Sequence, residues 1–198
     1  MNTLLEERNK HPRDNHISFD EGPHIYTIHG DSSFTSVTTW VHHHFEKFDA
    51  DKVIANMMRS KNWSKNKYYG MTVKEIKADW DKNRDEAANA GTKMHYDIEC
   101  YYNDMEIEVE EDCVEWQYFE MFEEEWGQHM TPYRTEWMIW DDKLKFAGSI
   151  DMTFLNSDGT IEIYDWKRSV GIKKENSWQS AITPVSYTHL TLPTTCSV

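Results

Sequence analysis

The spacing of apolar side chains along this chain changes near Thr131, from the period of an amphipathic helix to the period of a strand. Helices are predicted over 37–41, 49–59 and 114–126, and a longer helical stretch follows Thr72. Strands are predicted over 24–29, 133–140, 144–154 and 160–168. Turn sequences at 141–143 and 156–159 join the last three strands into an antiparallel meander. Helices followed by strands, without regular βαβ alternation, predict a mixed α+β domain.

Cap residues and one glycine set the predicted helix ends. Ser36 is placed to cap the first helix, and Thr72 with Glu75 matches a capping box. Gly91 is expected to interrupt the long helical stretch and to start a new helix, whose apolar stripe is Met94, Ile98 and Tyr102. The packing side of the helix over 114–126 is predicted to carry Tyr118, Phe119, Phe122 and Trp126.

The composition predicts one folded domain. The chain has 198 residues, of which 38% are hydrophobic and 14% aromatic. We expect a flexible polar segment over 1–17, a domain over 18–183 and a non-native tail over 184–198. No apolar run is long enough to span a bilayer, and no secretory-type leader is present, so we expect a soluble, intracellular protein.

Two groups of metal-binding residue types do not predict a site. Cys100, Cys113 and Cys196 are too few and too scattered for a disulfide framework, a paired-cysteine zinc site or an iron–sulfur cluster. The run over 42–44 consists of three histidines, and consecutive helical side chains point in different directions. We therefore expect reduced thiols and solvated or structural histidines.

A net charge of -14 is unusual for a protein that binds nucleic acid. Much of the acidity lies in a segment over 104–112 and on the wet face of the helix over 114–126. Basic residues gather in two other places, near aromatic side chains, and form candidate nucleic-acid contacts. They are Arg59, Lys61, Lys65 and Lys67 in the first cluster, and Arg168, Lys173 and Lys174 in the second. A solvated loop explains the first cluster equally well.

Candidate chemistry begins on the predicted helix after Gly91. Gly91, His95 and Glu99 are spaced i, i+4, i+8, so they share one face beside the apolar stripe. A carboxylate and an imidazole turned partly towards a core need partners. The pair is therefore a candidate for metal binding.

The last two predicted strands carry the other candidates. Asp165 and Lys167 are two residues apart, so on a strand they point to one face, together with Ile161 and Ile163. Asp151 follows Gly148 and shares its face with small residues, which leaves room for an ion and its waters.

Together these residues predict a divalent-metal phosphodiesterase site. Asp151, Asp165, the carbonyl of Trp166 and Glu99 suit Mg²⁺ or Mn²⁺, and a nitrogen ligand from His95 would favour Mn²⁺. Lys167 is then placed to orient a hydroxide or to stabilise developing charge, and Glu99, Asp151, Asp165 and Lys167 form the predicted catalytic set. Glu136 is a secondary candidate, because it fits a site residue and a plain strand carboxylate equally well.

These motifs resemble the PD-(D/E)xK nuclease superfamily, in particular its RecB-type and lambda-exonuclease-like branch. Gly-x-x-x-His-x-x-x-Glu matches 91–99, Gly-x-x-Asp matches 148–151, and Asp-x-Lys matches 165–167. The resemblance covers roughly 24–180. It implies a restriction-endonuclease-like core with a central mixed sheet flanked by helices, and Mg²⁺ or Mn²⁺ dependence. It also implies DNA as substrate, exonuclease action in recombination, repair or viral genome processing, and a helicase or recombination protein as partner.

The chain departs from that family towards its end. The family continues with Gln-x-x-x-Tyr, whereas Gln179 is followed four residues later by Thr183. The segment over 185–194 resembles the translation of a transposase-based sequencing adapter, so we expect a natural coding sequence cut near Thr183. Two alternatives to an exonuclease stay open. One is a structure- or sequence-specific endonuclease, and the other is a catalytically silent module that binds nucleic acid.

Overall fold

A computed structural model describes residues 4–110, 112–168 and 187–190, the last range as backbone only. Its helices are α1 (Leu5–Arg8), α2 (Val37–His43), α3 (Ala50–Met58), α4 (Val73–Tyr102) and α5 (Val114–Glu125). Its strands are β1 (Ile17–Asp20), β2 (Ile25–Ile28), β3 (Thr35–Ser36), β4 (Thr131–Asp141), β5 (Phe146–Leu155), β6 (Ile161–Tyr164) and β7 (Tyr187–Leu190). Short 3₁₀ turns cover Pro12–His16, Trp63–Lys65 and Gly127–His129.

The main sheet is mixed, as the sequence predicts, and helices flank it. β4, β5 and β6 pair antiparallel and form the predicted meander, whereas β3 runs parallel to β5. β4 pairs with β5 along its whole length, so β3 and β6 must share the opposite edge of β5. β3 takes the beginning of that edge and β6 takes its end. Between them, over 148–151, that edge has no strand partner within the described ranges.

Three apolar cores hold the elements together. The largest lies between the sheet and helices α4 and α5, and it contains Met94, Ile98, Tyr102, Phe119, Phe122, Met152, Phe154, Tyr164 and Trp166, with Leu5. A second lies under the β1–β2 hairpin and contains Ile17, Tyr26, Ile28, Phe34, Trp140 and Ala147. A third joins α3 to the first third of α4 through Ile54, Tyr68 and Ile76. Burial of these side chains supplies the main driving force for folding.

Within the segment over 1–17 that is predicted to be flexible, residues from Leu4 onward form hydrogen bonds with residues distant in sequence. Asp14 accepts hydrogen bonds from Arg134 Nη1 at 2.8 Å and from the indole of Trp137 at 3.1 Å. The backbone N–H of Leu5 donates to Asn103 Oδ1 at 2.8 Å. A polar segment is thus fixed by polar partners distant in sequence, which a search for apolar periodicity does not detect.

The cap predictions are confirmed, but Gly91 does not end a helix. Ser36 Oγ accepts from the N–H of Thr39 at 3.2 Å, and Thr72 with Glu75 forms the capping box. α4 runs without a break through Gly91. Glycine in a helix interior costs about 1 kcal/mol relative to alanine. Packing of α4 on the third core before this point and on the largest core after it outweighs that cost.

Two further differences concern α5 and β6. Phe119 and Phe122 are buried as expected, but Tyr118 and Trp126 are exposed, so the packing side of α5 is narrower than predicted. β6 ends at Tyr164, and the predicted strand therefore stops short of Asp165. Within the described ranges, no helix is long and apolar enough to cross a membrane.

Candidate metal centre

Glu136 and Asp151 oppose each other on neighbouring strands. Thr135 of β4 pairs with Met152 of β5, so one step along each strand brings the two acids level. Side chains directly opposite in an antiparallel pair lie close together. Two ionised carboxylates at directly opposite strand positions repel each other unless a cation or a proton lies between them.

Asp165 extends this arrangement across a third segment. Met152 also pairs with Tyr164 at the end of β6, and the next residue, Asp165, therefore comes level with Asp151. The negative charge of Asp165 helps to raise the pKa of Asp151, as expected for two acids at neighbouring positions. Three carboxylates thus lie in a row, which we call the acidic row: Glu136, Asp151 and Asp165.

Helix α4 adds an imidazole to the acidic row. His95 Nδ1 lies 3.5 Å from Asp151 Oδ2 and 3.9 Å from Glu136 Oε1. One ligand atom from each of these three residues falls within 4.8 Å of the others, and all three side chains are half-buried. An imidazole nitrogen and two carboxylate oxygens form a donor set that suits Mn²⁺ or another first-row divalent ion.

Hydrogen bonds fix the two central carboxylates. The backbone N–H of Trp166 donates to Asp151 Oδ2 at 2.7 Å, and Ser149 Oγ donates to Glu136 Oε2 at 3.1 Å. The Trp166 ring is 1% exposed and packs in the largest core, so the N–H that holds Asp151 is itself firmly placed. This bond also explains the early end of β6, because the N–H of Trp166 serves the Asp151 carboxylate. Whether the Trp166 carbonyl binds a metal stays a prediction.

Burial dominates the electrostatics of Asp151. It raises the pKa of Asp151 to about 6, with smaller contributions in the same direction from Asp165 and Glu136. His95 and the N–H of Trp166 act in the opposite direction but do not compensate. A half-buried carboxylate with too little positive charge nearby is stabilised by a cation.

The pKa of His95 is also raised. Burial of the imidazole acts against its charge, but the negative charges of Glu136 and Asp151, 3.9 Å and 3.5 Å away, outweigh that effect, while Lys167 opposes them. The imidazole therefore carries a proton over a wider pH range than usual. A metal ligand must be neutral, so metal and proton compete for this nitrogen.

Glu99 lies one helical turn beyond His95, outside the three-residue cluster. Burial raises the pKa of Glu99, and the charges of Glu136 and Glu6 raise it further. Glu99 therefore faces the same negative region without being within ligand distance. Its predicted metal and catalytic roles remain predictions.

Lys167 and Asp165 pair with each other. Lys167 Nζ donates to Asp165 Oδ1 at 2.8 Å, and the lysine side chain is 62% exposed. Of the two isoleucines predicted to share the face of Asp165 and Lys167, Ile161 is buried but Ile163 is only partly buried. Tyr164 and Trp166 enter the core instead, so Asp165 and Lys167 lie on the more exposed side of this segment.

Glu136 has more contacts than the sequence indicates. It belongs to the three-residue cluster that could hold a metal ion, and its backbone has a φ of 42°, in the left-handed region that non-glycine residues rarely adopt. Such conformations concentrate at functional sites. Strand alternation does not distinguish Glu136 as a site residue, since every second residue of a strand shares the same face.

The first cluster of predicted nucleic-acid contacts lies apart from the acidic row, whereas Arg168 directly follows Lys167. Lys67 lies 3.9 Å from Asp79 on the first third of α4. Asp79 precedes His95 by four to five helical turns, about 24 Å along α4, so Lys67 lies far from the candidate metal centre, and Arg59, Lys61 and Lys65 precede it in the same segment. Arg168 Nε donates to Glu115 Oε1 at 2.6 Å. Lys173 and Lys174 lie outside the described residues, as do Gln179, Thr183 and Cys196.

Comparison with family models, with curated proteins and with solved structures found no match. The resemblance to the PD-(D/E)xK nucleases therefore rests on the sequence motifs alone.

Proposed function

We propose that this protein is an Mg²⁺- or Mn²⁺-dependent deoxyribonuclease of the PD-(D/E)xK type that hydrolyses phosphodiester bonds as an exonuclease. The observation that carries the proposal is the meeting of His95, Glu136 and Asp151, with Asp165 level beside them. These residues come from a helix and three consecutive segments of the sheet. They converge beside the stretch of β5 that lacks a strand partner within the described ranges.

The donor set fits a divalent metal. Asp151 has a raised pKa because it is buried near other acids, and a divalent cation would compensate for both effects. His95, Glu136, Asp151 and Asp165 would hold the ion. A bound Mg²⁺ or Mn²⁺ supplies Lewis-acid stabilisation of phosphate charge and lowers the pKa of a coordinated water.

The remaining polar groups have roles around that ion. The N–H of Trp166 and the hydroxyl of Ser149 orient the Asp151 and Glu136 carboxylates. Lys167 is exposed and bound to Asp165, so its ammonium can exchange this partner for a phosphate oxygen or a water molecule. Glu99 is half-buried one helical turn beyond His95, and the charge of Glu136 helps to raise its pKa, so it borders the same negative region.

Two further parts of the proposal concern the substrate and the partner protein. We propose that the substrate is DNA that is processed inside the cell during recombination, repair or viral genome processing, with a helicase or recombination protein as partner. An acidic protein needs metal ions to bring a phosphate backbone to an acidic surface, because the surface itself repels it.

Cleavage of linear double-stranded DNA in Mn²⁺ tests the proposed activity. The wild-type chain should release nucleotides, and Asp151→Asn and Lys167→Ala should each lower the rate at least about 100-fold. Asp142→Asn and Lys143→Ala, in the exposed turn between β4 and β5, are matched controls and should cleave at the wild-type rate. Absence of cleavage, or equal cleavage by Asp151→Asn, would defeat the proposal.

Covalently closed circular DNA distinguishes the two kinds of nuclease. An exonuclease requires an end and leaves the circle intact, whereas an endonuclease opens it. A catalytically silent module would bind both substrates and cleave neither.

A further inference from the structure

A pocket lies on the first third of α4, away from the acidic row. Its lining residues are Phe48, Ala50, Lys77, Trp80, Asp81 and Arg84. The α4 members are spaced i, i+3, i+4, i+7, so they occupy one face of that helix. Lys77, Trp80 and Arg84 therefore share one wall of the pocket, and Phe48, from the segment before α3, adds a second aromatic ring.

Of the two aromatic rings of this pocket, one is fixed by a hydrogen bond and the other is largely exposed. The indole N–H of Trp80 donates to Tyr68 Oη at 2.8 Å, which fixes the orientation of the indole. The ring centroid of Phe48 lies 5.8 Å from that of Trp80, and Phe48 is 71% exposed. Most of the Phe48 ring is thus available for stacking with a flat ligand.

The cationic part consists of exposed ion pairs. Lys77 lies 2.7 Å from Asp51, and Arg84 pairs with both Asp81 at 2.7 Å and Asp85 at 2.9 Å. Exposed pairs of this kind contribute little to stability, so a phosphate can replace Asp51 at Lys77, and Asp81 or Asp85 at Arg84. Arg84 also presents a planar fork that matches two phosphate oxygens.

The same helix face continues to the candidate metal centre. Arg84, Ala88, Gly91 and His95 follow each other at spacings of four, three and four residues. A Cβ added at Gly91 would meet nothing within 4 Å, so the surface between Arg84 and His95 is open. With a rise of 1.5 Å per residue, Trp80 lies about 22 Å from His95 along the helix.

We propose that this pocket binds an unpaired base and the adjacent phosphate of a single-stranded DNA segment. The base stacks on Phe48 beside Trp80, and Arg84 and Lys77 contact the phosphate. The inference rests on the proposed nuclease function, since it places the scissile phosphate of the same strand at the acidic row. A span of about 22 Å corresponds to about six nucleotides at 3.4 Å each, and to fewer in an extended strand.

Fluorescence anisotropy of a labelled 20-nucleotide single strand, with Ca²⁺ in place of Mn²⁺, tests the pocket in the full chain. Phe48→Ala and Arg84→Ala should each weaken binding by about 5- to 100-fold. Arg84→Ala should also make binding less dependent on salt, because one phosphate contact is lost. Phe45→Ala and Lys82→Ala are the controls, since both residues are exposed and do not line the pocket. They should bind within about twofold of wild type.

Hydrolysis of a small chromogenic phosphodiester in Mn²⁺ separates the two proposals. This substrate is too short to reach the pocket, so Phe48→Ala and Arg84→Ala should hydrolyse it at the wild-type rate. Wild-type hydrolysis with unchanged oligonucleotide binding by both variants would overturn the pocket alone. Weakened binding by both variants, without hydrolysis by any form, would support the pocket and overturn the nuclease. Failure of the wild-type chain to bind the oligonucleotide would also overturn the pocket.

Discussion

One oxygen of Asp151 lies 3.5 Å from His95 Nδ1 and accepts the backbone N–H of Trp166 at 2.7 Å. Helix α4, strand β5 and the segment after β6 therefore meet at a single carboxylate. Because Trp166 is anchored in the largest core, correct folding of that core also places Asp151. Folding and assembly of the candidate metal centre are thus linked through one side chain.

The raised pKa of Asp151 predicts a specific pH dependence of stability without metal. The folded protein binds the Asp151 proton with a pKa of about 6, above the ordinary value of 3.8, so the protonated acid favours folding. That contribution is complete below about pH 4 and is lost as the pH rises through about 6. The raised pKa of His95 acts in the same direction, and its contribution is lost at higher pH.

Asp151→Asn should remove most of this dependence. Asparagine keeps an acceptor for the N–H of Trp166 but needs no proton. The variant should therefore be about 2 kcal/mol more stable than wild type at pH 7 in EDTA, and about equal to it near pH 4. Urea unfolding at the two pH values measures the difference, with Asp142→Asn as control. A variant that is less stable at both pH values contradicts this electrostatic account.

A divalent ion bound at the acidic row should offset the repulsion between its carboxylates and so stabilise the folded chain. Mn²⁺ at 100 times its dissociation constant should stabilise the folded chain by about 2.7 kcal/mol, because it binds the folded site and not the unfolded chain. Glu136→Gln should lose most of this stabilisation, since one charged ligand is removed. Thermal unfolding with and without Mn²⁺ provides the comparison, and Glu86→Gln on the exposed part of α4 is the matched control. Equal stabilisation of Glu136→Gln and wild type would show that Glu136 is not a ligand.

The continuity of α4 leads to a prediction for Gly91. Its φ is not in the left-handed region, and the space for a Cβ is open. Gly91→Ala should therefore stabilise the chain by about 0.5 to 1 kcal/mol, because alanine loses less backbone freedom in a helix. Chemical unfolding measures the change, and Ala88→Gly at an exposed position should have the opposite effect. A loss of stability in Gly91→Ala would show that the helix needs a glycine at this position.

The sequence was sufficient for elements whose signals are local. Ser36, Thr72 and Glu75 cap helices through bonds to residues three positions away, and such bonds are encoded by a short pattern. The meander was predictable for the same reason, because turn residues and alternation define it. The antiparallel order β4–β5–β6 follows directly from those turns.

The remainder depends on contacts between distant residues. The ion pair between Asp14 and Arg134 orders a segment that has no apolar pattern of its own. Glu136 joins His95 and Asp151 through strand register and an unusual backbone angle, neither of which composition reveals. The end of β6 is set by the bond between Trp166 and Asp151, so the exposed position of Lys167 could not be read from alternation.

Anomalous diffraction from a crystal with bound Mn²⁺ and a short non-hydrolysable DNA tests the central claim most directly. A manganese peak is expected about 2.1 Å from carboxylate oxygens of Glu136 and Asp151 and from a ring nitrogen of His95, with Asp165 beside them and a phosphate oxygen on the open side. A peak at another place on the protein, or DNA bound with no peak at the acidic row, would contradict it.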